Sequence, residues 1–343
     1  MNNTLDHKCP NCDAVLKFNP ESQNWTCEYC KSKFNLNDLN KVLENLSNEN
    51  SNELDVYICN NCGAEIITDA NTSSTSCIYC KNTAILKSKL VGEFAPDYLI
   101  PFKTTKEDAI KAFKKLCKGK WFMPRNFNIK KNIKEISGIY VPFWIYDYES
   151  SGIVNFECDK VSTWKSSGYK YIKTDKYNVV RGGNVSFSNI PVDGSKTIKN
   201  NIMNSIEPFD YKDMKEFNYS YLSGFLSEKY DMTKEESIKE AQDRAKTSFI
   251  DEMMKDVKSY DNVNEIDNSI NLQNTKSSYV LLPIWFLNIN YKNKIYTFAM
   301  NGQTGKIKGN IPIDIKKVVL TWILLFILIF VLLFGINILK VIL

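Results

Sequence analysis

Residues 9–30 of the chain read CPNCDAVLKFNPESQNWTCEYC, and residues 59–80 read CNNCGAEIITDANTSSTSCIYC. Both stretches have the pattern C-x2-C, fourteen residues, C-x2-C, and the second follows the first at an offset of fifty residues. Two cysteines at this spacing can turn both thiolates toward one ion, and a second pair carried on a hairpin completes a tetrahedral site. The pattern predicts two tandem zinc ribbons, with the ligands Cys9, Cys12, Cys27 and Cys30 in the first and Cys59, Cys62, Cys77 and Cys80 in the second.

Paired cysteines also occur in disulfide frameworks, redox centres and rubredoxin-type iron sites. A disulfide framework requires export, and the first residues, MNNTLDHKCP, contain no apolar run and no cleavage site. A redox C-x-x-C normally occurs once, beside a βαβ pattern. Four thiolates suit both zinc and iron, so the ligands alone leave that choice open. We expect two structural zinc ions, one in each quartet.

The sequence predicts a multidomain α+β protein with five segments. Leucines at helical spacing, followed by a run of Ser, Asn and Glu, separate the two cysteine quartets. Because this linker is polar, the ribbons are expected to be independent of each other. The segments are a first zinc ribbon (1–35), a short helix and polar linker (36–55), a second zinc ribbon (56–90), a mixed α+β domain with antiparallel strands (95–312) and a transmembrane helix (318–341).

Within the α+β domain, two capping-box patterns, at 104–107 and at 233–236, predict helices. Small residues at 150–152 and at 182–183 predict turns between short strands, and residues 261–278 read as a polar loop before a hairpin over 279–300. Cys117 and Cys158 lack a C-x2-C partner and are expected to be core thiols.

Residues 318–339 contain no charged side chain over 22 positions, a length of about 33 Å as a helix at ~1.5 Å per residue. Four lysines precede this run, and by the positive-inside rule they predict a single-pass membrane protein whose N-terminal body is cytoplasmic. The same lysines are expected to attract anionic lipid: Lys306, Lys308, Lys316 and Lys317.

No catalytic or nucleotide-binding motif is evident. The chain has one histidine and a net charge of +5. The stretch Gly302–Ile307 resembles a phosphate loop, but it has two residues between its glycines and an isoleucine where the loop needs Ser or Thr. We therefore expect a protein that is not an enzyme. Because acidic and basic residues nearly balance in both ribbons, nucleic acid is not the favoured partner.

Several further motifs carry a family resemblance over nearly the full chain. Besides the tandem quartets they are PDYLIPFK (96–103), IYVPFW (139–144), RGG (181–183), PVDG (191–194) and TFAMNGQTGK (297–306). Together they resemble the bacterial TFIIB-type zinc-ribbon-containing membrane proteins. Members are often labelled as a primosomal helicase or a phage replisome organiser, but this sequence has no helicase motor. Some members look like partners of phage-shock protein A and of SPFH proteins, and the resemblance implies such envelope-stress partners here.

The sequence thus favours a membrane-anchored cytoplasmic adaptor whose zinc ribbons dock protein partners at the membrane. The alternative is a membrane-tethered nucleic-acid-binding or replication-associated factor that uses the ribbons. A hydrolase within the α+β domain ranks below both.

Overall fold

The computed structural model describes residues 2–3, 8–43, 56–58, 65–67, 72–76, 83–85, 95–127, 133–195, 200–292 and 294–342. These residues form a mixed α+β structure in two compact units. The first unit comprises Met1–Pro101, Ile139–Asn200 and Asp210–Pro283. The second comprises Phe102–Gly138, Asn201–Phe209 and Ile284–Leu343.

The α-helices are α1 (Leu36–Leu43), α2 (Lys106–Cys117), α3 (Asn200–Ile206), α4 (Lys234–Lys255) and α5 (Ile315–Ile342). The strands are β1 (Asn2–Asn3), β2 (Leu16–Asn19), β3 (Asn24–Cys27), β4 (Lys33–Phe34), β5 (Val56–Ile58), β6 (Glu65–Ile67), β7 (Thr72–Ser76), β8 (Thr83–Ile85), β9 (Tyr98–Leu99), β10 (Ser137–Ser166), β11 (Tyr169–Asp193), β12 (Lys215–Glu216), β13 (Leu226–Glu228), β14 (Asn262–Tyr291), β15 (Lys294–Asn301) and β16 (Ile307–Gly309). Short 3-10 turns cover Ile133–Glu135, Tyr211–Asp213 and Tyr219–Leu222.

Both predicted helices begin with a capping box, but the box of α2 lies one residue after the predicted 104–107. Thr105 caps α2 through the backbone N–H of Asp108, and the Asp108 carboxylate accepts a hydrogen bond from the Thr105 backbone. Thr233 and Glu236 make the same reciprocal pair at the start of α4. A reciprocal pair satisfies two backbone donors that would otherwise lack a partner. Helix α4 therefore begins where the sequence predicts, and α2 begins one residue later than predicted.

A long antiparallel hairpin dominates the first unit. Strands β10 and β11 pair from Phe143↔Asp193 to Ser166↔Tyr169. The two residues that join them, Ser167 and Gly168, both have positive φ, 48° and 83°. A two-residue turn of this kind matches the right-handed twist of the paired strands.

The predicted turns at 150–152 and 182–183 are wrong, because both segments lie inside these strands. Gly152 pairs with Gly183. A Cβ atom on Gly152 would lie 2.5 Å from the Ser269 carbonyl oxygen, and one on Gly182 would lie 2.8 Å from the Gly152 carbonyl oxygen. These glycines therefore permit close approach of neighbouring backbones, which is their other common use in strands.

The predicted polar loop at 261–278 is also wrong from Asn262 onward, where β14 begins. Strand β14 lies beside β10 in the sheet. Its polar side chains bond to that neighbour: Asp267 accepts a hydrogen bond from Asn155, and Thr275 Oγ1 donates to the Asp147 carbonyl at 3.3 Å. Pairing with β10 provides hydrogen-bond partners for the backbone and for these side chains. The strand therefore forms without the alternation of apolar and polar residues that is typical of a strand.

One hydrophobic cluster of the first unit lies between α4 and the hairpin. Val154, Phe156 and Cys158 of β10 pack against Phe249, Met253 and Val257 of the α4 region. Cys158 and Cys117 are both buried, as predicted for core thiols. Burial raises the pKa of each thiol, which keeps them protonated and unreactive at neutral pH.

In the second unit, the end of β14 pairs with β15, and β15 pairs with β16. Helix α2 packs on this sheet, with the rings of Phe113 and Phe298 4.8 Å apart. The phosphate-loop-like stretch forms a closed turn: Asn301 Oδ1 accepts hydrogen bonds from the backbone N–H groups of Gln303 and Thr304, both at 2.9 Å. Asn301 Nδ2 donates to the Ile206 carbonyl at 3.1 Å. These internal bonds occupy the amides that a phosphate loop would offer to a ligand.

Helix α5 is long and apolar enough to cross a membrane. The window Ile315–Leu332 has a mean hydropathy of 2.5 over 18 residues, and none of it is buried inside the protein. An apolar helix with no side covered requires an apolar surrounding, which a bilayer supplies.

Asp193, at the end of β11, is a buried carboxylate that the sequence analysis did not single out. Its exposed fraction is 1%. Oδ1 accepts a hydrogen bond from the Ser195 backbone N–H at 2.9 Å, while Oδ2 has no hydrogen-bond partner among the described residues. Burial raises the pKa of Asp193 to about 7, and the nearby carboxylates of Glu240, Asp231 and Glu228 add to the increase.

We expect Asp193→Asn to raise the free energy of unfolding at neutral pH. An acid with a raised pKa in the folded state holds its proton more tightly there than in the unfolded state. The stability associated with this carboxyl is therefore fully present below about pH 4 and is lost as pH rises toward 7. The wild-type protein should therefore lose up to about 4 kcal/mol over that range, while the variant should not. Urea unfolding of the detergent-solubilised chain at pH 5 and pH 8 measures the difference. Asp251→Asn, an exposed carboxylate on α4, is the matched control. Equal pH profiles for wild type and Asp193→Asn would contradict the expectation.

Candidate metal centre

Two tight turns carry the cysteines of the first ribbon. In the first turn, the Asp13 backbone N–H donates to the Cys9 carbonyl at 2.8 Å, and in the second the Lys31 backbone N–H donates to the Cys27 carbonyl at 3.0 Å. Asp13 and Lys31 both have positive φ, 59° and 61°. Each residue follows the second cysteine of its pair, so the left-handed conformation at this position reverses the chain and leaves both sulfurs on the inside of the turn.

The hairpin of β2 and β3 brings the two turns together, with Leu16 opposite Cys27. The four Sγ atoms of Cys9, Cys12, Cys27 and Cys30 all lie within 4.8 Å of one another. The Cys9–Cys30 and Cys12–Cys27 sulfurs are each 3.5 Å apart. Four sulfurs around one zinc ion at ~2.3 Å would be separated by about 3.8 Å, whereas disulfide sulfurs are bonded at about 2.05 Å. The cluster therefore has the geometry of a four-thiolate metal site.

Electrostatics also favour a cation at this point. The Ser32 hydroxyl and backbone N–H beside Cys30 lower the pKa of that thiol to about 6. At Cys12 the Ala14 backbone hydrogen bond favours the thiolate, but desolvation and the three neighbouring sulfurs outweigh it and raise the pKa of Cys12 to about 12. Four thiolates so close together repel one another, and a divalent cation would compensate that charge. With four sulfur ligands no coordination position is left for substrate, which is the arrangement of a structural site.

The cysteines of the second predicted quartet, Cys59, Cys62, Cys77 and Cys80, lie outside the described residues. Short strands around them are described, and two pairings repeat those of the first ribbon at an offset of fifty residues, whereas the central β2–β3 pairing is not repeated by β6 and β7, which lie in different sheets. Ile58 pairs with Glu65 as Lys8 pairs with Val15. Thr75 pairs with Ala84 as Trp25 pairs with Phe34. One four-cysteine group is therefore seen in the described part of the chain, where the sequence predicts two in all.

Comparison with known proteins gives one extensive match. The chain is 38% identical over 317 residues to "Uncharacterized protein YdjG" of Bacillus subtilis (strain 168), and the alignment covers 92% of each protein. The chain belongs to the YdjG family. No family model and no solved structure matches it.

In this YdjG-family chain the first ribbon is docked on the rest of the first unit. The ring centroids of Phe18 and Trp25 lie 5.3 Å and 5.1 Å from that of Tyr221. Trp25 Nε1 donates to the Ser220 carbonyl at 2.7 Å, and the Phe18 backbone N–H donates to the Ser223 carbonyl at 3.1 Å. The first ribbon is therefore not an isolated unit, because its apolar face is covered by the segment around Tyr219–Leu222. The expected independence of the two ribbons from each other stays a prediction.

The second ribbon segment also reaches the sheet through its backbone. Strand β7 pairs with β13 through Ser227↔Ser74 and Glu228↔Thr72. Strand β13 in turn pairs with β10. The predicted polar linker falls on residues 44–55, outside the described part of the chain, whereas the predicted helix before it is α1.

One sequence signal could have revealed the docking. Phe18 and Trp25 correspond to Thr68 and Thr75 in the second ribbon. A pair of large aromatic residues in only one of two otherwise parallel repeats indicates that this repeat covers an additional apolar surface. The partner, Tyr221, could not be inferred, because no local pattern relates it to the ribbon 195 residues away.

We expect Trp25→Phe to weaken the docking without removing the metal. The substitution keeps an aromatic ring beside Tyr221 and removes one of two hydrogen bonds to the Ser220 carbonyl, which still accepts from the Ser223 backbone N–H at 3.1 Å. Loss of one such bond costs about 0.5–1.5 kcal/mol. Differential scanning calorimetry should show a lower unfolding temperature, while elemental analysis should show unchanged zinc. Tyr29→Phe, at an exposed position of the same ribbon, is the matched control. An unchanged unfolding temperature in Trp25→Phe would show that the contact contributes nothing.

Proposed function

We propose that this protein is a membrane-anchored adaptor whose metal-stabilised ribbons present a docking surface for other proteins. The observation that carries the proposal is the docked first ribbon: its apolar face is covered within the first unit while both cysteine turns face solvent. A ribbon that is fixed to a larger body presents its exposed turns in one orientation, which lowers the entropic cost of binding a partner.

The exposed turns carry residues suited to protein contact. Tyr29, between Cys27 and Cys30, is 81% exposed, and Tyr79 has the same place in the second quartet. Tyrosine is among the residues that contribute most to protein interfaces. The charges of the first ribbon are partly paired: Lys8 lies 3.0 Å from Asp13, and Lys17 lies 3.0 Å from Glu28. Paired lysines are less available for nucleic-acid phosphates, which favours a protein partner over a nucleic acid.

The membrane anchor in this proposal is α5. The proposal includes two zinc ions, one in each quartet. The two strand pairings that recur at an offset of fifty residues support the second site. The lysines before and at the start of α5 favour a cytoplasmic body by the positive-inside rule. The resemblance to TFIIB-type zinc-ribbon membrane proteins makes phage-shock protein A-like and SPFH proteins the first partners to test.

A second candidate function, nucleic-acid tethering, is supported by a different surface. The tip of the β10–β11 hairpin, residues 160–176, contains five lysines and one aspartate. Trp164 and Tyr171 are exposed there, and their rings stack 5.5 Å apart at 11°. Basic and aromatic side chains together can bind single strands. The adaptor remains our conclusion, because Lys173 and Lys176 of the tip lie within 3.0 Å and 3.6 Å of carboxylates.

Two matched variants separate these functions. The full chain, its Tyr29→Ala variant and its Trp164→Ala variant are compared by crosslinking and purification from membranes. We expect specific crosslinked proteins that are lost with Tyr29→Ala and retained with Trp164→Ala. The same proteins are titrated with labelled single-stranded and duplex DNA at several salt concentrations, since affinity for phosphates falls steeply with salt. Nanomolar nucleic-acid binding that Trp164→Ala abolishes would reject the adaptor in favour of the second candidate.

A further inference from the structure

We propose that the loop Lys118–Arg125, here called the interfacial loop, inserts its aromatic side chains into the lipid interface beside α5. This inference rests on the proposed membrane anchoring, and it adds a second, separate contact with the bilayer. The occupant of the surface is the boundary between lipid headgroups and acyl chains.

Hydrogen bonds fix the interfacial loop to the first turn of α5. The Asp314 backbone N–H donates to the Phe122 carbonyl at 2.8 Å. Lys317 Nζ donates to the Met123 carbonyl at 2.6 Å and lies 3.4 Å from the Trp121 carbonyl. The Asp314 side chain accepts a hydrogen bond from the Lys316 backbone N–H at 3.1 Å. The loop therefore lies at the level where the apolar helix begins.

Packing within the second unit holds the interfacial loop at both ends. Cys117, which precedes it, is buried at the end of α2. Phe127, which follows it, is buried, and its ring centroid lies 5.6 Å from that of Tyr291 and 5.8 Å from that of Tyr296. Within the loop, the Met123 backbone N–H donates to the Lys120 carbonyl at 3.0 Å. A loop held in this way keeps its tip away from the sheet, which leaves the tip available to an outside partner.

The tip of the loop and the adjoining chain expose apolar side chains. Trp121 and Phe122 are 75% and 39% exposed, and Ile313 and Ile315 are 67% and 75% exposed. Single exposed apolar residues are common on proteins. Four of them next to the start of an exposed apolar helix form a continuous patch, and such patches mark interaction sites.

Continuity with α5 decides which partner covers the patch. A helix that crosses a bilayer passes through the interface at its first turn, and the loop is bonded to that turn. Tryptophan is enriched at this depth, where its ring is in an apolar region and its N–H can reach polar groups. Four exposed basic residues surround the patch, and they suit the phosphates of anionic lipids: Lys118, Lys120, Arg125 and Lys316.

The test uses tryptophan fluorescence of the full chain in lipid nanodiscs that contain phosphatidylcholine and phosphatidylglycerol. The chain has six tryptophans, so the emission of one is obtained as the difference between the wild type and its Trp→Phe variant. Trp121→Phe reports the loop and Trp322→Phe reports α5. Each difference is measured with brominated lipids, which quench from within the bilayer, and with iodide, which quenches from water.

We expect brominated lipid to remove most of the Trp121 emission and iodide to leave most of it. Quenching of Trp322 by brominated lipid without quenching of Trp121 would overturn the interfacial loop while leaving the anchor intact. If brominated lipid quenches neither residue, the membrane anchor itself fails, and with it the loop. Shielding of Trp121 from iodide without lipid quenching would assign the patch to a second protein copy and reject the lipid partner. The double variant Trp121→Ala, Phe122→Ala should stay in the membrane, with Trp322 less strongly quenched by shallow bromines because the helix loses its fixed depth.

Discussion

Cys27→Ser is expected to remove one equivalent of zinc from the purified chain and to unfold residues 8–35. This ribbon has a small apolar core, in which Leu16, Phe18 and Trp25 are buried, so metal binding supplies most of its folding energy. Apparent binding energies for structural zinc are ~10–16 kcal/mol at neutral pH. Serine cannot supply a thiolate, and the three remaining sulfurs do not complete a tetrahedral site.

The docking contacts extend the effect of Cys27→Ser beyond the ribbon. When Phe18 and Trp25 leave Tyr221, the segment Tyr219–Leu222 loses its cover, so we expect faster proteolysis there as well as in the ribbon. Elemental analysis measures the zinc, and limited proteolysis with mass spectrometry locates the cleavage. Cys117→Ser, which changes a buried thiol outside the quartet, should keep the full zinc content. Retention of full zinc by Cys27→Ser would contradict the site.

Truncation after Lys317 is expected to release most of the protein from membranes. This end point keeps Asp314 and Lys317, whose hydrogen bonds hold the interfacial loop, and removes the run of uncharged residues. Without that run the described residues contain no helix that is both long and apolar enough to span a bilayer. The interfacial loop and its basic residues then make only a peripheral contact, and high salt should weaken its electrostatic part.

Fractionation of cells by ultracentrifugation, in low salt and then in high salt, measures the release. Two full-length variants provide a matched pair: Leu325→Arg places a charge in the window Ile315–Leu332, and Leu325→Ala does not. The charge costs about 2.5–3.5 kcal/mol near the centre of a spanning helix, so only Leu325→Arg should reduce membrane insertion. A truncated chain that stays in the membrane fraction in high salt as fully as the intact chain would show that α5 is not the anchor.

The elements that sequence analysis predicted well are those specified by local chemistry. The cysteine spacing predicts the first metal cluster. The capping-box patterns predict the start of α4 and, to within one residue, the start of α2. Positions that depend on distant backbone were predicted poorly. Gly152 was predicted to be a turn residue. Its actual role is to allow the close approach of Ser269, and that approach exists only once distant strands have paired in the sheet. Tyr221 is recognisable as a docking residue only once the ribbon lies against it.

The docked ribbon has a consequence for biosynthesis. Trp25 and its acceptor Ser220 are separated by 195 residues, which a ribosome adds in roughly 10–40 s at ~5–20 residues per second. During that interval the ribbon is already outside the ribosome, and its aromatic face has nothing to cover it. Metal is then the main force that holds the ribbon folded, since its tertiary contacts do not yet exist. Zinc shortage should therefore act on the nascent chain, which chaperones and proteases would meet as an unfolded segment, more strongly than on molecules completed earlier.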